Sequence, residues 1–251
     1  MSAPALSIRG LSKSFGSLTV ARDIALDLPQ GARYALIGPN GAGKTTLINM
    51  ITGMLAPNGG RILLGDDDVT ALEPEARVRL GLARTFQINT LFAGLNPLEA
   101  VALAVLERRG VANRFWKPLT AYDEATEEAH EILLKLKLGD CRYRQTRELP
   151  YGRQRLLEIA LALATKPKLL LLDEPAAGVP PEESGDIFEV VASLSDQLTL
   201  LFIEHDMHVV FRFATHIIVL VGGAVFTQGS PAEIAADPRV REVYLGTRRH
   251  A

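Results

Sequence analysis

A glycine-rich segment that ends in a lysine and two threonines carries the clearest chemical signal in the sequence. It reads Gly38-Pro39-Asn40-Gly41-Ala42-Gly43-Lys44-Thr45-Thr46 and follows an apolar run at residues 33–37. Glycine lets the backbone turn tightly between a strand and a helix, and the amides that open the helix can then bind phosphate oxygens. The amides expected to do so are those of Gly41, Gly43, Lys44 and Thr45. The lysine suits the β- and γ-phosphates, the first threonine suits Mg²⁺ and the second suits the α-phosphate. We therefore predict a site for a nucleoside triphosphate with Mg²⁺.

Two carboxylates directly after four leucines form a second candidate site. Residues 169–172 are typical of a buried strand, and Asp173 and Glu174 follow at its carboxyl end, where open α/β sheets bind their ligands. Asp173 suits the outer coordination shell of Mg²⁺, and Glu174 suits a base that polarises an attacking water. Such a run on its own is more often a strand ending in a solvated acidic turn. The glycine-rich segment in the same chain favours the catalytic interpretation.

Short apolar runs alternate with helical patterns along the chain, as in an α/β protein with a mostly parallel sheet flanked by helices. Antiparallel strands are predicted near the N-terminus at 6–8 and 24–28. Further strands are predicted at 33–37, 61–64, 169–172, 198–203 and 217–221. A helix is predicted from about residue 43 to 52. Because the segment between about 87 and 164 is mainly helical, we interpret residues 88–165 as a helical subdomain inserted into a P-loop-type α/β core.

Capping signals and an apolar stripe predict where several helices begin and end. Thr70 and Glu73 before Pro74 look like a capping box for a short helix that stops at Gly81, and Asn96 with Glu99 looks like a second box. An apolar stripe at helical spacing predicts one packed helix face, with Gly139 ending that helix. The stripe consists of Ala125, Ala129, Ile132, Leu133 and Leu136.

Composition narrows the class of protein but not its activity. The 251 residues include 27 Lys and Arg against 29 Asp and Glu, a formal charge of −2, so no basic field indicates a nucleic-acid partner. The single cysteine, Cys141, cannot pair within the chain and suits a reducing compartment. No apolar run approaches the roughly 18 residues of a membrane span, and the N-terminal residues lack the apolar stretch of a signal peptide. These features favour a soluble cytoplasmic protein.

Five motifs in a fixed order resemble those of ATP-binding-cassette (ABC) ATPases, and the resemblance covers nearly the whole chain. Besides the glycine-rich segment and the acidic strand end, residues 149–155 (Leu-Pro-Tyr-Gly-Arg-Gln-Arg) resemble the signature motif of that family. Gln87 matches its Q-loop and His205 its switch histidine. In addition to these five motifs, Phe15 matches the aromatic ring that the family stacks on adenine. The resemblance implies one ABC nucleotide-binding domain over residues 1–251, with an N-terminal antiparallel β subdomain and a helical signature subdomain.

The resemblance also implies the ligands and the role of each motif. ATP and Mg²⁺ are the expected ligands, with Lys44, Gln87, Glu174 and His205 as the catalytic group. Mg²⁺ is expected at Thr45, Gln87 and Asp173. The expected nucleotide contacts are Phe15, Gly38, Pro39, Asn40, Gly41, Ala42, Gly43, Lys44, Thr45, Thr46, Tyr151 and Gly152.

A narrower resemblance points to the ATP-binding subunits of branched-chain amino acid importers and their urea- and amide-type relatives. It is carried by residues 81–87 (Gly-Leu-Ala-Arg-Thr-Phe-Gln), Tyr151, residues 174–178 (Glu-Pro-Ala-Ala-Gly) and the tail at 243–246 (Val-Tyr-Leu-Gly). Such a subunit pairs with a second copy or a paralogue, works with separate membrane permeases and a solute-binding protein, and needs no nucleic acid. Its expected location is the cytoplasmic face of the inner membrane.

Several alternatives stay open from the sequence. One is a soluble ABC-type ATPase that acts on ribosomes or DNA, and another is an exporter ATPase of the lipopolysaccharide type. Two departures from the family pattern, Pro150 in place of a serine and Pro180 in place of an aspartate or asparagine, leave room for a switch that hardly hydrolyses ATP. His205 and His208 form an H-x-x-H pattern that would also suit a metal.

Overall fold

The computed structural model describes residues 3–85, 91–111, 122–194 and 198–246. Within these ranges the strands are β1 (Leu6–Phe15), β2 (Leu18–Leu28), β3 (Arg33–Ile37), β4 (Gly59–Leu64), β5 (Asp67–Asp68), β6 (Leu82–Arg84), β7 (Leu169–Asp173), β8 (Thr199–Ile203), β9 (His216–Val221) and β10 (Ala224–Gly229). The helices are α1 (Lys44–Thr52), α2 (Pro74–Arg79), α3 (Pro97–Arg108), α4 (Asp123–Lys135), α5 (Tyr151–Ala164), α6 (Pro181–Ala192), α7 (Met207–Phe213), α8 (Pro231–Ala236) and α9 (Pro238–Gly246).

The chain divides into two compact units. Unit 1 comprises Met1–Leu82, Lys168–Leu172 and Ser195–Ala251, and unit 2 comprises Ala83–Pro167 and Asp173–Leu194. Strands β6 and β7 begin in unit 1 and end in unit 2. Asp173 therefore belongs to a different unit from the four leucines that precede it.

Two sheets build unit 1, as the alternating apolar runs predict. A four-stranded antiparallel sheet has the order β2-β1-β4-β5, and a six-stranded sheet has the order β10-β9-β3-β8-β7-β6. Strand β3 is parallel to both β8 and β9, whereas the edge strand β10 runs antiparallel to β9. This confirms the predicted α/β class with an N-terminal antiparallel sheet.

One apolar core holds helix α1 in unit 1. The buried residues of this core come from both sheets and from α1, and include Ile8, Leu47, Ile51, Leu171 and Leu220. All four leucines of β7 are buried, which explains why this run is apolar throughout instead of alternating. The N-terminus of α1 is thereby fixed against the sheet that leads into it.

Helices α3 to α6 build unit 2. Helix α3 has the predicted capping box, in which the Asn96 side chain accepts from the Glu99 amide and Glu99 accepts from the Asn96 amide. The predicted stripe on α4 is buried at Ala125, Ala129, Leu133 and Leu136, while Ile132 is half-buried.

Two of the predicted helix signals are wrong. Thr70 does not cap α2, because its hydroxyl donates to Asp68 at the end of β5. The N-cap of α2 is Glu73, which makes no side-chain cap bond. Helix α4 ends before Gly139, since the left-handed residue that terminates it is Lys137, with φ of +57°. The hydroxyl of Thr70 is thus engaged elsewhere and cannot cap α2, and Gly139 is not needed to end α4.

Glu128 is the centre of a cationic cluster that links α3, α4 and the end of α5. Arg108 donates to both of its oxygens at 2.9 and 2.7 Å, Arg109 donates at 2.8 Å, and Lys166 lies at 3.0 Å. The hydrogen bonds from Arg108, followed by those of Lys166 and Arg109, lower the pKa of Glu128 from 4.5 to about 2 although partial burial acts in the opposite direction.

Replacing Glu128 by Gln is expected to lower the free energy of unfolding at pH 7 by about 2 kcal/mol, because three cations lose their common anion. The folded pKa lies below the unfolded one, so this stabilisation is complete above about pH 4.5 and is lost as pH falls toward 2. Urea unfolding at pH 7, 4 and 3 tests this, with the exposed Glu127→Gln as a control that changes stability by less than about 0.5 kcal/mol. If Glu128→Gln lowered the free energy of unfolding by the same amount at every pH, the ion pairs of Glu128 would not be the cause of the stabilisation.

Candidate nucleotide site

The glycine-rich turn of unit 1 joins β3 to α1, as predicted. A Cβ atom at Gly38 would stand 2.2 Å from the carbonyl oxygen of Leu220, and one at Gly43 would stand 2.5 Å from that of Val20. Gly43 also adopts a φ of +99° as the N-cap of α1. Only glycine satisfies both demands, so the turn is held against β9 and β2 by backbone contacts that any side chain would break.

Lys44 spans this turn from the first residue of α1. Its buried ammonium donates to the carbonyl oxygens of Gly38 at 2.7 Å and Pro39 at 3.2 Å. Among the described residues, the amides of Gly41, Gly43 and Thr45 have no protein acceptor. Unbonded amides, a lysine and a helix N-terminus at one turn suit an anion with several oxygens, such as a chain of phosphates.

The opposite end of α1 is held by a residue that the sequence did not reveal. The guanidinium of Arg77 is 1% exposed and donates to the carbonyl oxygens of Met50 at 2.7 Å and Ile51 at 2.8 Å, and also to those of Leu72 and Thr70. A cation at a helix C-terminus complements the helix dipole. A Cβ atom at Gly53 would stand 2.8 Å from Nε of Arg77, so a glycine at the end of α1 makes room for this side chain.

Phe15 stands at the end of β1, next to the hairpin turn into β2. Its ring is 52% exposed and lies 5.3 Å from the ammonium of Lys13. Strand β2 then passes the glycine-rich turn at Val20. An exposed ring on the hairpin that borders the turn suits the predicted stacking on adenine, which stays a prediction.

Asp173 and Glu174 lie in unit 2, at the end of β7. Asp173 is buried, and its Oδ2 accepts a hydrogen bond of 2.7 Å from Nη2 of Arg84. Glu174 has a φ of +49°, a left-handed conformation that costs a non-glycine residue about 1–2 kcal/mol. Strain of this kind concentrates at functional sites, which agrees with the catalytic role predicted for Glu174.

Tyr151 and Gly152 are the first residues of α5, and Pro150 is its N-cap without a side-chain cap bond. The Tyr151 hydroxyl accepts a hydrogen bond of 2.7 Å from Arg155, which also donates to Glu158. Burial raises the pKa of Glu158 in spite of that bond. The Tyr151 ring packs on Gly178, where a Cβ atom would approach ring atom Cε1 to 3.1 Å. The signature segment and the turn after Glu174 are therefore in direct contact.

His205 follows β8 in unit 1 and is exposed. Its amide donates to the buried carboxylate of Glu204 at 3.2 Å, and Asp206 accepts from the His208 amide as the N-cap of α7. No group of three or more His, Cys, Asp or Glu side chains within the described ranges could hold a metal ion. The alternative of a metal at His205 and His208 stays a hypothesis.

Gln87 lies outside the described residues, so its predicted place in the site stays a prediction. The helices of the described residues are all too short or too polar to cross a membrane.

The fold and these motifs define a P-loop nucleotide-binding protein of the ATP-binding-cassette class. The family model described as "ABC transporter" matches residues 21–177, and one described as "Branched-chain amino acid ATP-binding cassette transporter" matches residues 225–250. The chain is 38% identical to the high-affinity branched-chain amino acid transport ATP-binding protein BraF of Pseudomonas aeruginosa over 98% of this chain and 99% of the relative. Its identity to LivG of Escherichia coli K12 is also 38%, with the same coverage.

Solved structures agree with this class. The ADP conformation of MJ1267, an ATP-binding cassette of an ABC transporter, is 33% identical, with a TM-score of 0.85 over 98% of this chain and 99% of that one. The chain belongs to the ABC transporter family, in the branch of the branched-chain amino acid ATP-binding cassette transporters. It is an ATPase of that family.

Proposed function

We propose that this chain is the ATP-hydrolysing subunit of an importer for branched-chain amino acids or related amino acids and amides. The observation that carries the proposal is the ordered series of ATPase motifs on a chain whose relatives of matching length are transport ATP-binding proteins. This subunit binds ATP and hydrolyses it, and the resulting conformational change is transmitted to its partner subunits.

Each motif has a proposed part in hydrolysis. The amides of the glycine-rich turn and Lys44 bind the β- and γ-phosphates, and Phe15 stacks on the adenine. Glu174 accepts a proton from the attacking water, and His205 donates a hydrogen bond to the γ-phosphate. Lys44 reaches the phosphates by exchanging its bonds to Gly38 and Pro39 for bonds to phosphate oxygens.

Magnesium fits the donor groups that the chain offers. The Thr45 hydroxyl, the Asp173 carboxylate and the Gln87 amide are hard oxygen donors of the kind that Mg²⁺ prefers. A bound Mg²⁺ would neutralise part of the negative charge of the phosphates. The role of Asp173 is to place a carboxylate for the ion at the end of β7.

A second ATPase subunit completes the site in this proposal. Tyr151 and Gly152 of one subunit contact the nucleotide of the other, so two copies or two paralogues enclose two ATP molecules. Pro150 and Pro180 offer neither a hydroxyl nor an amide to that interface, which weakens the contact without removing the catalytic groups. Separate permeases and a solute-binding protein complete the importer, with this subunit on the cytoplasmic face of the membrane.

Uptake by the purified complex tests the proposal. The chain is purified in mild detergent with its permeases and placed in liposomes that contain ATP, with the solute-binding protein and radiolabelled leucine, isoleucine and valine outside. We expect ATP-dependent uptake that the Glu174→Gln complex does not support. Co-purification with nucleic acid that survives moderate salt would instead favour a role on ribosomes or DNA, and ATP-dependent release of lipopolysaccharide would favour the exporter alternative.

A further inference from the structure

The ion pair of Arg84 and Asp173 joins the last residue of β6 to the last residue of β7, and both of these residues belong to unit 2. Nη2 of Arg84 lies 2.7 Å from Oδ2 of Asp173, and the two side chains are 10% and 6% exposed. A charge-assisted hydrogen bond this short between two nearly buried groups holds both side chains in one orientation. The bond uses Oδ2 of the carboxylate and leaves Oδ1 for another partner.

A purely stabilising role explains this pair poorly. A buried ion pair contributes little or no net stability compared with apolar side chains of similar size, because both charges lose their hydration. The pair also differs from the Glu128 cluster of the same unit, where three cations share one carboxylate. Here a single arginine is directed at the carboxylate predicted to serve Mg²⁺.

Outer partners of this kind normally control how a carboxylate serves a metal. A hydrogen bond to the oxygen that does not serve the ion fixes the other oxygen, and loss of such a partner typically lowers metal affinity 10–100-fold. Arg84 also stands three residues before Gln87 in the sequence, so β6 leads from the Asp173 contact into the segment that carries the predicted Q-loop glutamine.

We propose that Arg84 is a positioning residue for Asp173, which it holds in the orientation that serves the Mg²⁺ of bound MgATP. The inference rests on the proposed function, since it takes Asp173 as the magnesium carboxylate. Arg84 does not touch the nucleotide in this proposal; it acts only through Asp173.

Manganese binding tests this without reference to turnover. In the Glu174→Gln background, with protein in excess so that all of the ATP is bound, the binding of Mn²⁺ is followed by the loss of the free-ion signal in electron paramagnetic resonance. We expect Arg84→Met to weaken Mn²⁺ binding 10–100-fold, with ATP affinity in EDTA unchanged within twofold. Arg84→Lys keeps the charge and is expected to restore part of the loss, and the exposed Arg79→Met serves as the matched control.

A double-mutant cycle separates positioning from a general structural role. If Arg84 acts through Asp173, Arg84→Met causes no further loss of Mn²⁺ affinity once Asp173 is Asn. Unchanged Mn²⁺ affinity in Arg84→Met, or an equal loss in the Asp173→Asn background, would overturn the proposal. Melting temperatures show whether each variant is folded. If Arg84→Met does not fold, the Mn²⁺ affinities of Arg84→Lys and Arg84→Gln are compared with that of the parent protein instead. If the parent Glu174→Gln protein binds no ATP, the proposed function itself fails.

Discussion

Replacement of Glu174 by Gln is expected to lower the rate of ATP hydrolysis by a factor of about 10³ while ATP binding is retained. A positioned general base contributes about 10²- to 10⁴-fold to such a reaction, and an amide cannot accept the proton of the attacking water. Because Gln has the same shape as Glu, the left-handed backbone at this residue, with φ of +49°, is not relieved. The loss therefore reports the chemistry of the side chain.

Two measurements on the Glu174→Gln protein check this expectation. Phosphate release gives the rate, and size-exclusion chromatography with ATP shows whether a dimer accumulates, as expected when closure is not followed by hydrolysis. The exposed Glu131→Gln on α4 is the control and should hydrolyse ATP at the wild-type rate. Wild-type turnover in Glu174→Gln would remove the catalytic assignment of this residue.

Replacement of Lys44 by Met is expected to weaken ATP binding about 100-fold and to make hydrolysis undetectable. The buried ammonium bridges the carbonyl oxygens of Gly38 and Pro39, and in the nucleotide complex it would bind phosphate oxygens instead. Each hydrogen bond to a charged group is worth about 1.5–3 kcal/mol, so the loss of two such bonds accounts for the expected change. Methionine keeps most of the apolar stem and limits the effect on packing.

Fluorescent ATP-analogue titration and thermal melting give the two readouts for Lys44→Met. The exposed Lys135→Met of α4 is the matched control for loss of a positive charge. The two variants are also expected to differ in kind, because Glu174→Gln binds without hydrolysing, whereas Lys44→Met does neither. Binding of ATP by Lys44→Met at wild-type affinity would contradict the assignment of the glycine-rich turn as the phosphate site.

The sequence predicts the glycine-rich turn and the parallel strands well because their causes are local. Gly38 and Gly43 are needed where backbone atoms of neighbouring strands come within 2.5 Å of a Cβ position, and four leucines in a row suit a strand buried on both faces. The helix limits were less predictable. Gly139 was a strong stop signal for α4, but Lys137 adopted the left-handed conformation two residues earlier.

The roles of individual charged residues were the least predictable part of the site. Arg84 and Asp173 are 89 positions apart in the sequence, and Arg77 binds carbonyl oxygens of α1 from 26 and 27 positions away. With 27 Lys and Arg and 29 Asp and Glu in the chain, no local pattern selects these contacts.

The sequence by itself determined the class of this protein, the order of its motifs and the glycine-rich turn that is predicted to bind phosphate, because glycine geometry and apolar runs act over a few residues. Only the tertiary structure decided which arginine holds Asp173, that Arg77 closes the far end of α1, and that Tyr151 packs on Gly178. These contacts depend on strands and helices from distant parts of the chain meeting in space. Their free energy comes from burial and hydrogen bonding that exist only once the core has formed.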